Sequence, residues 1–90
     1  MMEGIVKITE GTVVKAVAGR DNDKFFAVTK ICEDKGYILI ADGKTRKLDN
    51  PKKKNIKHVR VTGTVINLNE ITDKKLKMIL RNFSEDESEV

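Results

Sequence analysis

Residues that could do chemistry are sparse in this chain, and their spacing completes no catalytic or cation-binding motif. The tripeptide Gly-Lys-Thr at 43–45 matches the end of a phosphate-binding P-loop, but the first glycine of that motif would fall at Ile38, inside an apolar run. The Asp-Asn-Asp sequence at 21–23 begins like a calcium loop, but Phe26 and Cys32 occupy the positions that require glycine and glutamate. We therefore expect a hairpin turn at 43–45 and no metal at 21–23.

Cys32 and His58 are the only cysteine and the only histidine. A zinc site needs three or four such ligands, and a cysteine nucleophile needs a histidine that the fold brings alongside it. Near the end of a predicted strand, Cys32 is expected to act as a small, partly buried apolar side chain. Because the remaining residues supply no set of acid, base and nucleophile, we expect a protein without enzymatic activity, metal or cofactor.

Positive charge is concentrated in one part of the chain. The formal net charge is +4, but residues 44–60 hold eight lysines and arginines against one acid, Asp49. Residues 84–90 carry four acids and no base, so the rest of the chain has 18 basic against 10 acidic residues. Such a field attracts polyanions, of which nucleic acid is the most common soluble kind.

The lysine triplet at 52–54 lies at the centre of this basic segment. It follows Asn50 and Pro51, and because proline restricts the backbone and ends strands, we predict that residues 52–54 project from an exposed loop. Lysine ammonium groups suit phosphate oxygens, and such contacts read charge rather than base identity. The segment therefore predicts contacts to a phosphate backbone.

Three further residues complete the predicted contact surface. Arg20 and Lys24 flank a polar turn, and His58 stands among the lysines, where an imidazole can donate a hydrogen bond to phosphate. The predicted contacts are Arg20, Lys24, Lys44, Arg46, Lys47, Lys52, Lys53, Lys54, Lys57, His58 and Arg60.

Aromatic residues are too few for a broad base-stacking platform. Phe26 and Phe83 are expected in the core, which leaves Phe25 and Tyr37 as candidate stacking surfaces. Binding through shape and phosphate is therefore favoured over reading of base sequence.

The first two-thirds of the chain predicts β-structure. Residues 11–18 are rich in valine, and residues 37–41 form a continuous apolar run. Asp42 and Gly43 are preferred in two-residue hairpin turns, which predicts an antiparallel strand directly after them. We predict strands near residues 11–18, 25–33, 36–42, 45–49 and 58–62, arranged as a small antiparallel barrel.

The last part of the chain predicts one helix over residues 72–83. Thr72 is the expected N-cap, and Asp73 suits the positive end of the helix dipole. Ile71 and Leu76 have the spacing of a hydrophobic staple. Leu76, Ile79, Leu80 and Phe83 form one apolar stripe, expected to cap an open end of the barrel, with partner binding as the alternative. The acidic tail at 84–90 is expected to be disordered.

A family resemblance follows from these elements. Residues 11–31 combine a glycine, a valine-rich strand, the polar sequence Ala-Gly-Arg-Asp at 18–21 and a strand ending in isoleucine, which resembles the KOW motif of several ribosomal proteins and transcription-elongation factors. The continuation YILIADGKTR at 37–46, with the lysines at 52–54, is similar to bacterial KOW-domain proteins related to large-subunit ribosomal protein fourteen-e. One departure is Asn22-Asp23-Lys24, where the family loop usually has a glycine after its acidic pair.

The resemblance covers residues 10–61 and implies a small SH3-like (KOW) barrel of five antiparallel strands, followed by the C-terminal α-helix. The expected divisions are an N-terminal segment (1–9), the barrel (10–62), a linker with the helix (63–83) and the tail (84–90). The resemblance also implies RNA binding, with ribosomal RNA or another structured RNA as partner. A KOW-type protein-interaction module of the transcription or translation machinery, in contact with ribosomal or transcription proteins, remains the alternative.

Length and composition agree with one small domain away from membranes. The chain has 90 residues, of which 39% are hydrophobic and 36% charged, and no apolar run approaches the roughly 20 residues that span a bilayer. The single cysteine and the absence of a secretory signal pattern favour a cytoplasmic location.

Overall fold

The computed structural model describes residues 8–19, 22–32 and 36–88, with side chains up to residue 83. In chain order the elements are β1 (Thr12–Ala16), β2 (Phe25–Ile31), β3 (Tyr37–Ala41), β4 (Lys52–Asn55), a 3-10 turn (Ile56–His58), β5 (Val59–Val65) and α1 (Asp73–Ser88). The chain is therefore mostly β with one C-terminal helix, as predicted.

All strands belong to one antiparallel sheet of five strands in the order β4-β3-β2-β1-β5. Consecutive strands pair from β1 to β4, and β5 returns to pair with the free side of β1, with Val61 opposite Val14. Strands β4 and β5 are the two edges, and no pairing joins them within the described residues. The predicted antiparallel sheet is confirmed, whereas the sheet is not closed into a barrel.

The sheet buries apolar side chains on both faces because its central strands alternate. On one face, here called the inner face, Val14, Ala16, Phe26, Val28, Ile38 and Ile40 form one buried cluster. Residues of β5 and of the 3-10 turn, Val59, Val61 and Ile56, pack against this cluster. The opposite face carries Val13, Ala27 and Ala41 and is covered by α1, so we call it the helix face.

The helix begins as predicted and covers a face of the sheet. Thr72 Oγ1 accepts a hydrogen bond from the Lys75 N–H at 3.1 Å, which confirms the N-cap. Leu76 and Leu80 are buried against the helix face, with Phe83 partly buried beside them. The apolar stripe thus covers one side of the sheet rather than a barrel end.

Gly43 brings the first turn of α1 close to the end of β3. Its φ is +79°, and a Cβ at this position would overlap the carbonyl oxygen of Asp73. Asp73 Oδ1 also accepts a hydrogen bond from the Leu48 N–H at 2.7 Å. The connection between β3 and β4 is therefore tied to the helix start.

The predicted strand at 45–49 was wrong. Asp42 Oδ1 accepts hydrogen bonds from the Lys44 and Arg46 N–H groups, at 2.9 and 2.8 Å, which curls residues 43–46 into bends. The fourth strand is instead Lys52–Asn55, antiparallel to β3. The exposed loop predicted at 52–54 is thus an edge strand, which Pro51 precedes without interrupting.

Two predicted ends also differ from the structure. Strand β5 runs to Val65, past the boundary placed at 62, with Gly63 inside it at a φ of +90°. The helix continues through Ser88, so residues 84–88 are helical rather than disordered, while residues 89 and 90 lie outside the described residues. In the described part, no helix is long and apolar enough to cross a membrane.

Candidate functional site

The predicted cations are spread over most elements of the sheet domain. Lys24 precedes β2, and Lys44, Arg46 and Lys47 lie in the connection between β3 and β4. Strand β4 carries Lys52, Lys53 and Lys54, the 3-10 turn carries Lys57 and His58, and β5 carries Arg60. Arg20 lies outside the described residues. Except for Lys54, all the described members of this set have exposed or partly exposed side chains.

Lys54 is a structural residue. It pairs with Ile38, so its side chain lies on the inner face, where only 8% of the residue is exposed. Its Nζ donates a hydrogen bond to the carbonyl oxygen of Ala18 at 3.2 Å. The prediction that Lys54 is an exposed phosphate contact was therefore wrong, because the strand register turns it inward.

Lys53 points the opposite way, towards Tyr37. Its Nζ lies 4.8 Å from the centroid of the Tyr37 ring, a cation–π distance. Tyr37 is 37% exposed, so this pair forms an accessible part of the β3–β4 edge. Of the two candidate stacking residues, Tyr37 is the more exposed, and its ring already bears a cation.

Hydrogen bonds to backbone groups fix the 3-10 turn, and its basic side chains remain exposed. Asn55 Oδ1 accepts a hydrogen bond from the Lys57 N–H at 2.8 Å, and the His58 carbonyl accepts one from the Val17 N–H at 2.9 Å. Lys57 and His58 are both exposed. Two adjacent cationic or polar donors are thus presented from an ordered turn.

A row of side chains crosses three strands on the helix face. Lys15 pairs with Arg60 of β5 on one side and with Phe25 of β2 on the other. The Lys15 Nζ lies 5.7 Å from the Phe25 ring centroid and 3.8 Å from Asp23 Oδ1. Lys15 was not predicted as a site residue, although it is the only charged residue of the valine-rich strand β1.

An open cleft of about 530 Å³ lies next to this row. Its walls are the turn before β2, the turn after β3 and one side of α1. Of the side chains that the structure describes, four cations line it: Lys24, Lys44, Lys77 and Arg81. Lys77 and Arg81 were not predicted as site residues, although their spacing of four places both on one side of a helix.

Acidic and apolar groups complete the lining of this cleft. Asp42 is engaged by the two backbone N–H groups of its turn, and Asp23 lies near the Lys15 ammonium. Phe25, Met78 and Leu80 supply the apolar part, and the Phe25 ring meets the Phe83 ring at a centroid distance of 5.7 Å. The cleft therefore combines a net positive wall with a partly apolar wall.

No metal-binding arrangement stands out in the part of the chain that the structure describes. It contains no group of three histidine, cysteine, aspartate or glutamate side chains that could hold a metal ion. Cys32 is partly buried and His58 is exposed on the 3-10 turn.

No protein-family model matches the chain, and no match is found among functionally characterised proteins. What this surface binds is therefore inferred from its own side chains.

Proposed function

We propose that this protein is a non-enzymatic RNA-binding protein that contacts structured RNA through its phosphate backbone. One observation carries the proposal. The basic residues of segment 44–60, apart from Lys54, keep their side chains at the surface of one small sheet, and the only acid of the segment is Asp49. A surface with this charge density attracts a polyanion.

The positions of the aromatic rings support phosphate contacts over reading of bases. Phe26 is buried in the inner-face cluster, and Phe25 is partly buried beside Phe83. Only Tyr37 offers more than a third of its area to solvent. Proteins that read the sequence of single-stranded RNA generally need several exposed aromatic rings. On this surface, exposed lysines and arginines far outnumber exposed rings.

The resemblance of residues 10–61 to KOW-domain proteins supports RNA as the polyanion, with ribosomal RNA as one form of it. We place the protein in the cytoplasm, since its single cysteine, Cys32, suits a reducing compartment.

The test is direct binding of the purified chain to a labelled RNA hairpin over a series of salt concentrations, together with co-sedimentation with ribosomal subunits. We expect an affinity that falls steeply with salt, because each bound phosphate releases close to one counterion. An absence of RNA binding at low salt would reject the proposal.

A second function, docking of a protein partner, is favoured by the edge position of β5. Among the residues that the structure describes, this strand pairs with β1 alone, and Val65 at its end is 60% exposed. An unpaired strand edge can accept a strand from another chain. Salt-resistant capture of a protein, without RNA binding, would favour this alternative.

A further inference from the structure

We propose that the cleft between α1 and the two strand turns binds one nucleotide unit of RNA, so that Lys77 and Arg81 are RNA contacts. This inference rests on the proposed RNA-binding function and extends it from the basic segment to the helix. The cleft measures about 530 Å³, within the range of about 300 to 1,000 Å³ typical of small-molecule sites. A nucleotide would place its phosphate at the cationic wall.

The cationic wall is assembled from elements that the fold holds in fixed relation. Lys77 and Arg81 stand one helical turn apart, and Lys44 lies within the turn that Asp42 closes. The helix is positioned against that turn by Gly43, whose lack of a side chain lets the Asp73 carbonyl approach. Cations from the helix and from the turn therefore line the same cleft.

The two acids of the cleft weaken this field only in part. Asp42 accepts hydrogen bonds from the N–H groups of Lys44 and Arg46, which delocalise its charge into the turn. Asp23 lies 3.8 Å from the Lys15 ammonium. Among the described side chains that line the cleft, four are cationic and two are carboxylates, and both carboxylates already have partners.

The apolar wall suits the nucleoside part of the same unit. Met78 lines the cleft from α1 and is 56% exposed, and Phe25 lines the cleft from β2. A flexible thioether and the edge of an aromatic ring can pack against a ribose or a base of any identity. Such contacts favour an unpaired nucleotide over one locked inside a duplex.

The cleft also continues into the row on the helix face. Lys24 and Phe25 border the cleft, Phe25 pairs with Lys15, and Lys15 pairs with Arg60. An RNA strand leaving the cleft along this row would meet further cations on β1 and β5.

The test compares two double variants of the same helix. Lys77→Gln with Arg81→Gln removes two charges from the cleft, while Lys74→Gln with Lys75→Gln removes two exposed charges of α1 that do not line it. The probe is a labelled RNA hairpin with an unpaired loop, and the same strand closed into a full duplex is the comparison. Thermal melts establish that each variant is folded.

We expect the cleft variant to bind the hairpin on the order of tenfold more weakly, with a salt slope lower by about 1.4 to 1.8, while the control loses less than about threefold. The preference of the wild type for hairpin over duplex should also shrink in the cleft variant only. Equal losses in both folded variants would overturn the inference while leaving RNA binding intact. A wild type that fails to bind RNA would instead reject the proposed function.

A free mononucleotide is the other source of the same chemistry. Titration of adenosine monophosphate and of inorganic phosphate into the wild type tests whether the cleft binds a free mononucleotide rather than RNA. We expect weak binding of either, because a single unit lacks the neighbouring phosphates that the row would contact. Tight mononucleotide binding with no effect of the cleft variant on RNA would overturn the assignment to RNA.

Discussion

The ammonium group of Lys54 donates a hydrogen bond to the carbonyl oxygen of Ala18 at 3.2 Å, joining edge strand β4 to the turn that follows β1. The last lysine of the triplet at 52–54 is thus buried and contributes to the folded structure. Its neighbour Lys53, on the other face of the same strand, is exposed. Adjacent lysines of identical chemistry therefore have different surroundings because strand alternation places them on opposite faces of the sheet.

Replacing Lys54 should lower stability. Lys54→Ala removes the bond to Ala18 and the packing of a long apolar stem, and we expect a loss of about 1 to 3 kcal/mol in the free energy of unfolding. The matched control is Lys53→Ala, for which we expect a change within about 0.5 kcal/mol. Denaturant titrations measure both values. Equal stabilities of the two variants would show that the buried amine contributes nothing.

A side chain at Gly43 should separate the helix start from the sheet. Gly43→Ala combines a positive φ with overlap onto the Asp73 carbonyl. The matched control is Gly36→Ala, where φ is +94° but nothing lies within 4 Å of the added Cβ. We expect about 1 to 2 kcal/mol of destabilisation in the control and clearly more at Gly43, measured by thermal melts. Similar losses at both positions would mean that only backbone strain matters.

Neutralising the acidic end of the chain should strengthen RNA binding. Substituting Glu85, Asp86, Glu87 and Glu89 with their amides raises the formal net charge from +4 to +8. We expect an affinity gain of a few-fold, about three to ten, at low salt, which disappears at high salt because long-range fields are screened. Binding isotherms at two salt concentrations check this. A gain that persists at high salt would point to a direct contact instead.

The sheet and the helix start were accessible from sequence because their signals are local. Valine-rich runs define β1, and Thr72 with Asp73 defines the start of α1. The fourth strand was misplaced because the Asp42 side chain competes for the N–H groups that a hairpin would use. The sequence alone does not show whether an aspartate side chain will accept these backbone hydrogen bonds.

The site was less predictable because it depends on long-range register. Lys54 is buried because it pairs with Ile38, and the pairing is decided by where β4 begins. Lys77 and Arg81 join Lys44 only through the packing of α1 on the sheet. The spacing of four between Lys77 and Arg81 could have identified them as a pair on one side of the helix. It could not have shown which part of the sheet domain lies opposite them.

The exposed cations of the basic segment provide the most direct test of RNA binding through phosphate. The variant Lys47→Gln, Lys53→Gln and Lys57→Gln spares Lys54 and removes three exposed charges from this segment. The control variant Lys30→Gln, Lys74→Gln and Lys75→Gln removes three exposed charges elsewhere. The two triple variants have the same net charge.

The decisive measurement is the affinity for several unrelated RNA hairpins at a series of salt concentrations, for the wild type and both variants. We expect the first variant to lose about two units of salt slope and on the order of tenfold to a thousandfold in affinity, equally for every sequence, while the control stays near the wild type. An unchanged slope and affinity in the folded first variant would show that these cations do not bind RNA.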